Sequence, residues 1–348
     1  MKQNNVQISV VMAVYNTASY LTQAIESVLC QSFVNWELIC VDDGSTDGSW
    51  TILRSYEQRD GRIRVFGQTH AGRASVARNV ALTHSRGGHV IMLDSDDVLS
   101  PDALAKAYAR ISATGSDAVL LDVRLFDDGS GRLLRGWSGL NGDYCAVISG
   151  RDAVRLSLDW SIHGLALWRG DLIRAVRYDE AGMNGDELTT RILFHQCRAV
   201  AFCAGTYYYR KHAASTTHAI ALKRLDWLAT SRRVHDLLRT LGYDNVTLDR
   251  SLIAQFQTFR AKLFFDEQFT GHDRAVAAYR LKEGFELLRR SDLRASLLRR
   301  GGAKNALFAA MLGLRFDTYR RIYRLLLSLR ELIPFGVSPA DKVQVVRI

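Results

Sequence analysis

Three carboxylates stand together in the segment Asp94-Ser95-Asp96-Asp97, directly after the apolar run of residues 90–93. Carboxylates grouped at the end of a buried strand repel one another unless a cation or hydrogen-bond donors neutralise them. Their oxygens are hard ligands that suit Mg²⁺ or Mn²⁺, and diphosphate oxygens would complete the coordination shell. The segment predicts a metal and diphosphate site. The alternative is an acid-rich turn before the helix near Pro101.

Two further segments carry groups that could bind a nucleotide. A carboxylate of Asp42 or Asp43 could accept a hydrogen bond from a base or a ribose hydroxyl. The alternative for this segment is a turn that caps the next helix through Ser45, Thr46 or Asp47. Arg73 and Arg78 lie at the start of a predicted helix, where backbone N–H groups also favour anions. The alternative for these arginines is a solvated basic face.

The elements that must position these groups alternate between strands and helices. Apolar runs predict strands at 8–14, 37–41, 63–66 and 90–93, and helical spacing predicts a helix at 19–31. Further helices are expected through about residue 59, capped by Thr46 or Asp47, and from about 74 to 84. This alternation is typical of βαβ units and a mostly parallel sheet. The two acidic segments follow the second and fourth strands. They should therefore share the ligand-binding edge of that sheet.

Charge divides the chain into two parts. Residues 1–218 contain 22 Lys and Arg against 23 Asp and Glu, whereas residues 219–348 contain 24 against 13. We predict a catalytic domain in the first part and a basic helical region in the second. The segment 315–330 combines Phe316, Tyr319 and Tyr323 with arginines. It predicts a helix that either lies on an anionic membrane surface or packs on the catalytic domain. No recognised nucleic-acid-binding motif accompanies the charge.

The cysteines and the apolar segments indicate the compartment. Five cysteines without CxxC spacing predict free thiols in a reducing environment rather than disulfides or a zinc site. The apolar run at 8–14 is too short for a signal sequence or a membrane span. We therefore expect a cytoplasmic protein, and the basic region suggests peripheral association with the inner face of the cytoplasmic membrane.

Taken in order, four segments resemble the motifs of a known enzyme family. They are residues 10–16, 42–47, 72–79 and 93–97, of sequence VVMAVYN, DDGSTD, GRASVARN and LDSDD. Together they are similar to family 2 of the inverting glycosyltransferases, and the resemblance covers about residues 6–215. It implies the GT-A fold, in which a Rossmann-like, mostly parallel sheet is flanked by helices. Here a basic helical extension would follow it.

The resemblance implies roles for individual residues. Asp43 would contact the base, usually uracil, Asp94 the ribose, and Asp96 an Mn²⁺ or Mg²⁺ ion, with His212 as a second ligand. Arg210 and Lys211 would meet the diphosphate, and residues 215–217 would form part of a closing loop. The complete set of donor-site positions implied in this way is Ala13, Tyr15, Asn16, Asp42, Asp43, Arg73, Arg78, Asp94 and Ser95.

An inverting transferase also needs a general base for the acceptor hydroxyl. The family usually places it in a Glu-Asp pair at a helix start, and the matching stretch here is Gly185-Asp186-Glu187. Gly185 replaces the usual Glu, so Asp186 aligns as the base and Glu187 is a shifted alternative. These acids would also simply favour a helix N-terminus. Trp160 and His163 fall on the side implied for the acceptor, where Trp160 would either stack on a sugar or belong to the core.

The combined interpretation is a transferase that moves a sugar from a UDP-sugar to a glycan or lipid-linked glycan. Its expected pathway is a bacterial surface polysaccharide such as O-antigen, lipooligosaccharide or capsule. A sugar nucleotidyltransferase is the alternative enzyme, although residues 13–20 lack the glycine-rich basic loop expected of one. A catalytically silent glycan- or nucleotide-binding scaffold is the non-enzymatic alternative, which the glycine at position 185 keeps open.

Overall fold

The computed structural model describes residues 6–182, 184–212 and 221–332. These residues form two compact units, which divide between residues 212 and 221. The first unit is α/β, and the second is helical throughout its described part.

The first unit is built on one mixed sheet. Its strands are β1 (Ile8–Val14), β2 (Trp36–Asp42), β3 (Ile63–Gly67), β4 (His89–Met92), β5 (Val98–Leu99), β6 (Ala118–Asp127), β7 (Leu133–Trp137), β8 (Val147–Ile148), β9 (Ala166–Arg169) and β10 (Val200–Lys211). Its helices are α1 (Ala18–Leu29), α2 (Ser49–Arg59), α3 (Ala74–His84), α4 (Ala103–Thr114), α5 (Gly150–Ser157), α6 (Gly170–Val176) and α7 (Gly185–Gln196).

The strand order is β3-β2-β1-β4-β9-β6-β10-β5, with β7 paired to β6 and β8 paired to β10. Strands β3, β2, β1 and β4 are parallel. Beyond them the sheet becomes mixed, because β9 runs antiparallel to both β4 and β6. Strands β2 and β4 flank β1 and run parallel to it, so the acidic segments that follow β2 and β4 lie at the same edge of the sheet. This is the arrangement that was predicted from the sequence.

Local sequence explains the bounds of these elements. Strand β1 is almost uniformly apolar and buried, as expected for a strand covered on both faces. Helix α1 buries Leu21, Ala24, Ile25 and Val28, which recur at helical spacing. Helix α2 begins at Ser49, and the Asp47 carboxylate before it accepts hydrogen bonds from the amides of Ser49 (2.9 Å) and Ala18 (3.0 Å).

The second unit has its own aromatic core. Short 3₁₀ helices span Leu222–Leu225 and Phe265–Gln268, and the α-helices are α8 (Asp226–Thr240), α9 (Asn245–Lys262), α10 (Gly271–Arg290), α11 (Leu293–Arg300), α12 (Ala303–Met311) and α13 (Phe316–Leu332). Phe256, Phe259 and Phe285 form the centre of this core. None of the helices in the described residues is long and apolar enough to cross a membrane.

Helix α13 directs its aromatic face into this core. Phe316, Tyr319 and Tyr323 are 5%, 0% and 7% exposed. On the adjoining face, Arg320 donates to the carboxylate of Asp266 at 2.9 Å. The expectation that these aromatic residues lie on a membrane is therefore wrong, because they hold the helical unit together.

Candidate active site

The end of β1 and the loop after β2 are joined by hydrogen bonds. Asn16 adopts a left-handed backbone with φ of 52°, which Asn tolerates better than most residues. Its side-chain oxygen accepts from the amide of Thr46 at 2.8 Å, and its own amide donates to Ser45 Oγ at 3.0 Å. Asp42 accepts from the amide of Ser45 at 3.0 Å. The turn interpretation of this segment thus holds, and the turn joins two of the predicted motifs.

Asp43 is buried beneath a histidine that the sequence interpretation missed. Its carboxylate accepts from Gln68 Nε2 at 2.5 Å and from the amide of Ala71 at 2.9 Å. His70 Nδ1 lies 2.9 Å from the other carboxylate oxygen, and the His70 ring stacks on Tyr15 at 4.0 Å. Tyr15 is 42% exposed and offers a flat ring surface. His70 lies in the loop that follows β3, at the sheet edge that was predicted to bind ligand. This position after a predicted strand could have identified His70 from the sequence.

Arg78 joins the acidic segment to Tyr178, which lies between α6 and α7. Its guanidinium donates to Asp94 Oδ1 at 2.6 Å and lies 5.5 Å from the Tyr178 ring centroid. Burial lowers the pKa of Arg78, but the negative charges of Asp94 and Asp186 outweigh burial and raise this pKa above its ordinary value. The charges of two acids 92 positions apart in the chain therefore raise the pKa of one partly buried arginine.

Asp97 holds the turn together. It is 1% exposed and accepts from Tyr207 Oη at 2.9 Å and from the amide of Arg210 at 2.7 Å. Burial, followed by repulsion from Asp94 and Asp96, raises the pKa of Asp97. Asp97 thus attaches the acidic turn to β10. Beside it, Ser95 Oγ accepts from Thr17 Oγ1 at 3.0 Å.

Asp96 and His212, which the resemblance implies as metal ligands, lie together. His212 Nε2 is 2.9 Å from Asp96 Oδ2. Burial and the neighbouring charge of Asp94 raise the pKa of Asp96, so a cation at this carboxylate would relieve repulsion. In the described part of the chain no group of three or more His, Cys, Asp or Glu side chains forms a metal cage. The donor set fits an ion held by two side chains and by substrate phosphates.

The guanidinium of Arg210, for which the resemblance implied a contact with the diphosphate, is engaged by acceptors of the protein itself. It is 7% exposed, and its Nε donates to the carbonyl of Asp96 at 2.7 Å. Its remaining nitrogens donate to Gln23 and Asp128. The arginine therefore supports the acidic turn from beneath. Residues 215–217, the implied closing loop, lie outside the described residues.

The two candidate bases at the start of α7 differ in their surroundings. Asp186 is exposed. Glu187 forms an ion pair with Arg191, which also donates to the carbonyl of Ser157 at 2.8 Å. Burial raises the pKa of Glu187, although the charge of Arg191 opposes this effect. Glu187 is thus paired with an arginine of its own helix, whereas Asp186 is exposed to solvent.

Residues 178–180, here called the strap, run between α3 and α7. Asn79 on α3 accepts from the amide of Tyr178 at 2.7 Å and donates to the Tyr178 carbonyl at 2.8 Å. It also donates to Glu180 Oε1 at 2.6 Å. Arg73 donates to the Glu180 carbonyl at 2.7 Å, which gives this motif residue a contact with the strap.

The strap explains why position 185 is glycine. A Cβ atom at Gly185 would lie 1.8 Å from the carbonyl oxygen of Asp179, far inside contact distance. On the next turn of α7, Thr189 Oγ1 accepts from the amide of Asp179 at 2.8 Å. The strap therefore occupies the space that a larger residue at position 185 would need.

The two residues expected on the acceptor side have different environments. Trp160 is 43% exposed and adopts a φ of 61°, which is unusual for a bulky residue. Its carbonyl accepts from Trp137 Nε1 at 2.7 Å. His163 is buried, its Nδ1 accepts from the amide of Leu165 at 3.1 Å, and burial lowers its pKa to about 4. The expectation that His163 contacts an acceptor is therefore wrong. Trp137, which was not predicted, supports Trp160.

Comparison with known proteins agrees with these observations. Residues 9–159 match the model of glycosyl transferase family 2. The chain is 28% identical over 218 residues to glycosyltransferase GlyG of Streptococcus pneumoniae, an alignment that covers 60% of this chain and 72% of GlyG. It is 46% identical over 99 residues to the putative teichuronic acid biosynthesis glycosyltransferase TuaG of Bacillus subtilis, which covers 28% of this chain and only 39% of TuaG.

The fold resembles solved structures along nearly the whole chain. The crystal structure of S. aureus TarS residues 1–349 in complex with UDP-GlcNAc has a TM-score of 0.70 at 20% identity, and the match covers 98% of this chain and 96% of that one. The mannosyltransferase PcManGT from Pyrobaculum calidifontis, in complex with GDP-Man and Mn²⁺, has a TM-score of 0.50 at 14% identity and covers 95% of this chain and 88% of that one.

The parallel strands β3, β2, β1 and β4 and the match to TarS show that the first unit has the GT-A fold, and a helical region follows it as predicted. The N-terminal part of the chain belongs to glycosyltransferase family 2, as the four motifs indicated. Asp186 lies beyond residues 9–159, the part of the chain that the family model matches.

Proposed function

We propose that the chain is an inverting, metal-dependent glycosyltransferase. It transfers a sugar from a UDP-sugar to a hydroxyl of a glycan acceptor in the synthesis of a bacterial surface polysaccharide. The names of TuaG and of the UDP-GlcNAc complex of TarS support the pathway and the donor.

One observation carries the proposal. Arg78 of α3 bonds to Asp94 of the donor-side acidic turn, and Asn79 of the same helix holds the strap that packs against Gly185, the residue before Asp186. The acidic turn and the start of the helix that carries the exposed carboxylate of Asp186 are thus both held to α3. A transferase needs this proximity, because the acceptor oxygen must reach the anomeric carbon while a base removes its proton.

The proposed chemistry is a single displacement. The acceptor oxygen attacks the anomeric carbon from the face opposite the diphosphate, so the bond to the diphosphate breaks as the new glycosidic bond forms. Asp186 takes the hydroxyl proton. Tyr15 stacks on the base, and Asp43, with His70 and Gln68 around it, sets the position of that contact.

Asp96 and His212 would hold the metal ion. When bound, Mn²⁺ or Mg²⁺ neutralises charge on the departing diphosphate. The Mn²⁺ complex of PcManGT supports this assignment. Asp94 is held by Arg78 and stays available for the ribose, and Ser95 keeps the turn against Thr17.

A lipid-linked acceptor would bring the enzyme to the inner face of the cytoplasmic membrane. The charge excess of residues 219–348 supports contact with anionic lipid, because each basic residue near such a surface contributes about 1 kcal/mol. We assign this contact to exposed arginines such as Arg321 rather than to the aromatic face of α13.

The decisive experiment incubates the protein with UDP-, GDP- and dTDP-sugars, with Mn²⁺ or EDTA, and measures the released nucleoside diphosphate. The proposal predicts metal-dependent release of UDP and a product of inverted anomeric configuration by NMR. In a parallel incubation with nucleoside triphosphates and sugar 1-phosphates, release of pyrophosphate would instead indicate a nucleotidyltransferase. Nucleotide binding without turnover of any donor would indicate a scaffold.

Separate substitutions then test the base. We expect Asp186→Asn to lower kcat by 10²-fold or more, since general base catalysis contributes about 10²–10⁴-fold. Glu187→Gln is the matched control, because it removes the neighbouring charge on the same helical turn. An Asp186→Asn variant with near wild-type kcat would exclude Asp186 as the base.

A further inference from the structure

The strap of residues 178–180 is fixed to the donor-side helix α3 by one side chain. Asn79 is 3% exposed and bonds to both backbone groups of Tyr178, as a neighbouring strand would. Its amide also donates to Glu180 Oε1. Loss of this side chain would leave the partly buried backbone groups of Tyr178 without these partners.

The other side of the strap contacts the helix that carries Asp186. The amide of Asp179 donates to Thr189 Oγ1, and the carbonyl of Asp179 lies against Gly185. The strap is therefore held by α3 on one side and by the first turns of α7 on the other. Helix α3 also carries Arg78, which contacts Asp94 and is influenced by the charge of Asp186.

We propose that Asn79 is a positioning residue that sets where Asp186 stands relative to the Arg78–Asp94 pair. It acts through the strap and touches neither sugar nor nucleotide. The inference rests on the proposed function, in which Asp186 is the base. Its consequence is specific: disturbing the strap moves the base and leaves the donor pocket formed by Tyr15 and Asp43 in place.

A donor–acceptor exchange tests the contact between Asn79 and Glu180. Asn79→Asp removes the amide donor and places a second carboxylate against Glu180, which should displace the strap. Adding Glu180→Gln supplies an amide donor from the opposite side and restores one hydrogen bond. We expect Asn79→Asp to lower kcat about 100-fold, the cost of a displacement of about 1 Å, with UDP affinity changed less than 3-fold. The double variant should recover at least 10-fold.

A second variant removes the contact between the strap and α7. Thr189→Val keeps the shape of a buried side chain and removes the oxygen that accepts from Asp179. Its kcat should also fall while UDP affinity is kept, and its effect should be less than additive with Asn79→Asp, because both act through one segment. Thr230→Val, at an equally buried helical threonine of the second unit, is the control and should leave both values unchanged.

Amide hydrogen exchange gives a readout that does not require turnover. In Asn79→Asp we expect faster exchange at Tyr178 and across residues 184–190, with unchanged exchange in β1 and β2. If kcat and UDP affinity fall together, if neither changes, or if exchange across 184–190 is unaffected, Asn79 does not position the base. Wild-type protein that releases no nucleotide from any donor would instead refute the proposed function, and the exchange experiment would still test the strap.

Discussion

Replacing Gly185 by alanine tests the close contact between the strap and α7. The added Cβ would lie 1.8 Å from the Asp179 carbonyl oxygen, whereas a close carbon–oxygen contact is about 3.3 Å. The strap and the helix must therefore separate by about 1.5 Å. Since a 1 Å misplacement in an active site can cost about 10²-fold, we expect kcat to fall by at least that factor.

The same substitution has a definite expected effect on stability. In a helix without this contact, alanine would be favoured over glycine by about 1 kcal/mol. Overpacking against a backbone carbonyl opposes this gain and costs roughly 1–3 kcal/mol. We therefore expect Gly185→Ala to lower Tm, by about 2–4 °C for each kcal/mol of net destabilisation.

The assay compares Tm, UDP affinity and kcat with a matched control. Gly48→Ala introduces a methyl group at the start of α2, where the nearest atom is Ala18 Cβ at 3.8 Å, and it should behave as wild type. Gly185→Glu restores the residue usual in the family and should be at least as inactive as Gly185→Ala. Wild-type kcat and Tm in Gly185→Ala, or increased activity in Gly185→Glu, would refute the reasoning.

Three further expectations concern other parts of the chain. Because burial lowers the pKa of His163 from 6.5 to about 4, the native state resists its protonation, and stability falls as the pH drops from about 6.5 towards 4. Between pH 7 and pH 5, this group should lower the free energy of unfolding in urea by about 2 kcal/mol, and His163→Asn should lack this loss. The same dependence of the unfolding free energy on pH in both proteins would contradict the prediction. Trp160→Ala should raise the acceptor KM about 10-fold and leave donor hydrolysis unchanged, as expected for a lost stacking contact, whereas Trp50→Ala at an equally exposed tryptophan should change neither. Arg321→Glu should weaken flotation with anionic vesicles about 30-fold, and unchanged flotation would exclude this arginine from the membrane contact.

The donor side of the site could be predicted from sequence because it follows from periodicity and order. An apolar run that ends in Asp42 and another that ends at Asp94 predict strands, and parallel pairing then brings their ends together. These relations are local or depend on the regular geometry of a sheet. They predicted the shared edge without knowledge of any loop.

Contacts made by returning loops could not be predicted in this way. Asn79 and Tyr178 are 99 positions apart, and no periodic pattern marks their contact. Trp137 reaches Trp160 only because β7 folds back along β6. The aromatic stripe of α13 was ambiguous for another reason, since the same spacing suits a lipid surface and a protein core, and only the burial of Tyr319 distinguishes them.

The choice between Asp186 and Glu187 depends on the rotation of α7. Successive residues on a helix point about 100° apart, so the two acids cannot face the same group. Glu187 points to Arg191, which is 7% exposed and fixed to the carbonyl of Ser157. To act as a base, Glu187 would have to leave a buried arginine without its counter-ion, at a cost of roughly 3 kcal/mol. Glu187→Gln should therefore lower the free energy of unfolding while kcat changes little. A large loss of kcat with unchanged stability would instead identify Glu187 as the base.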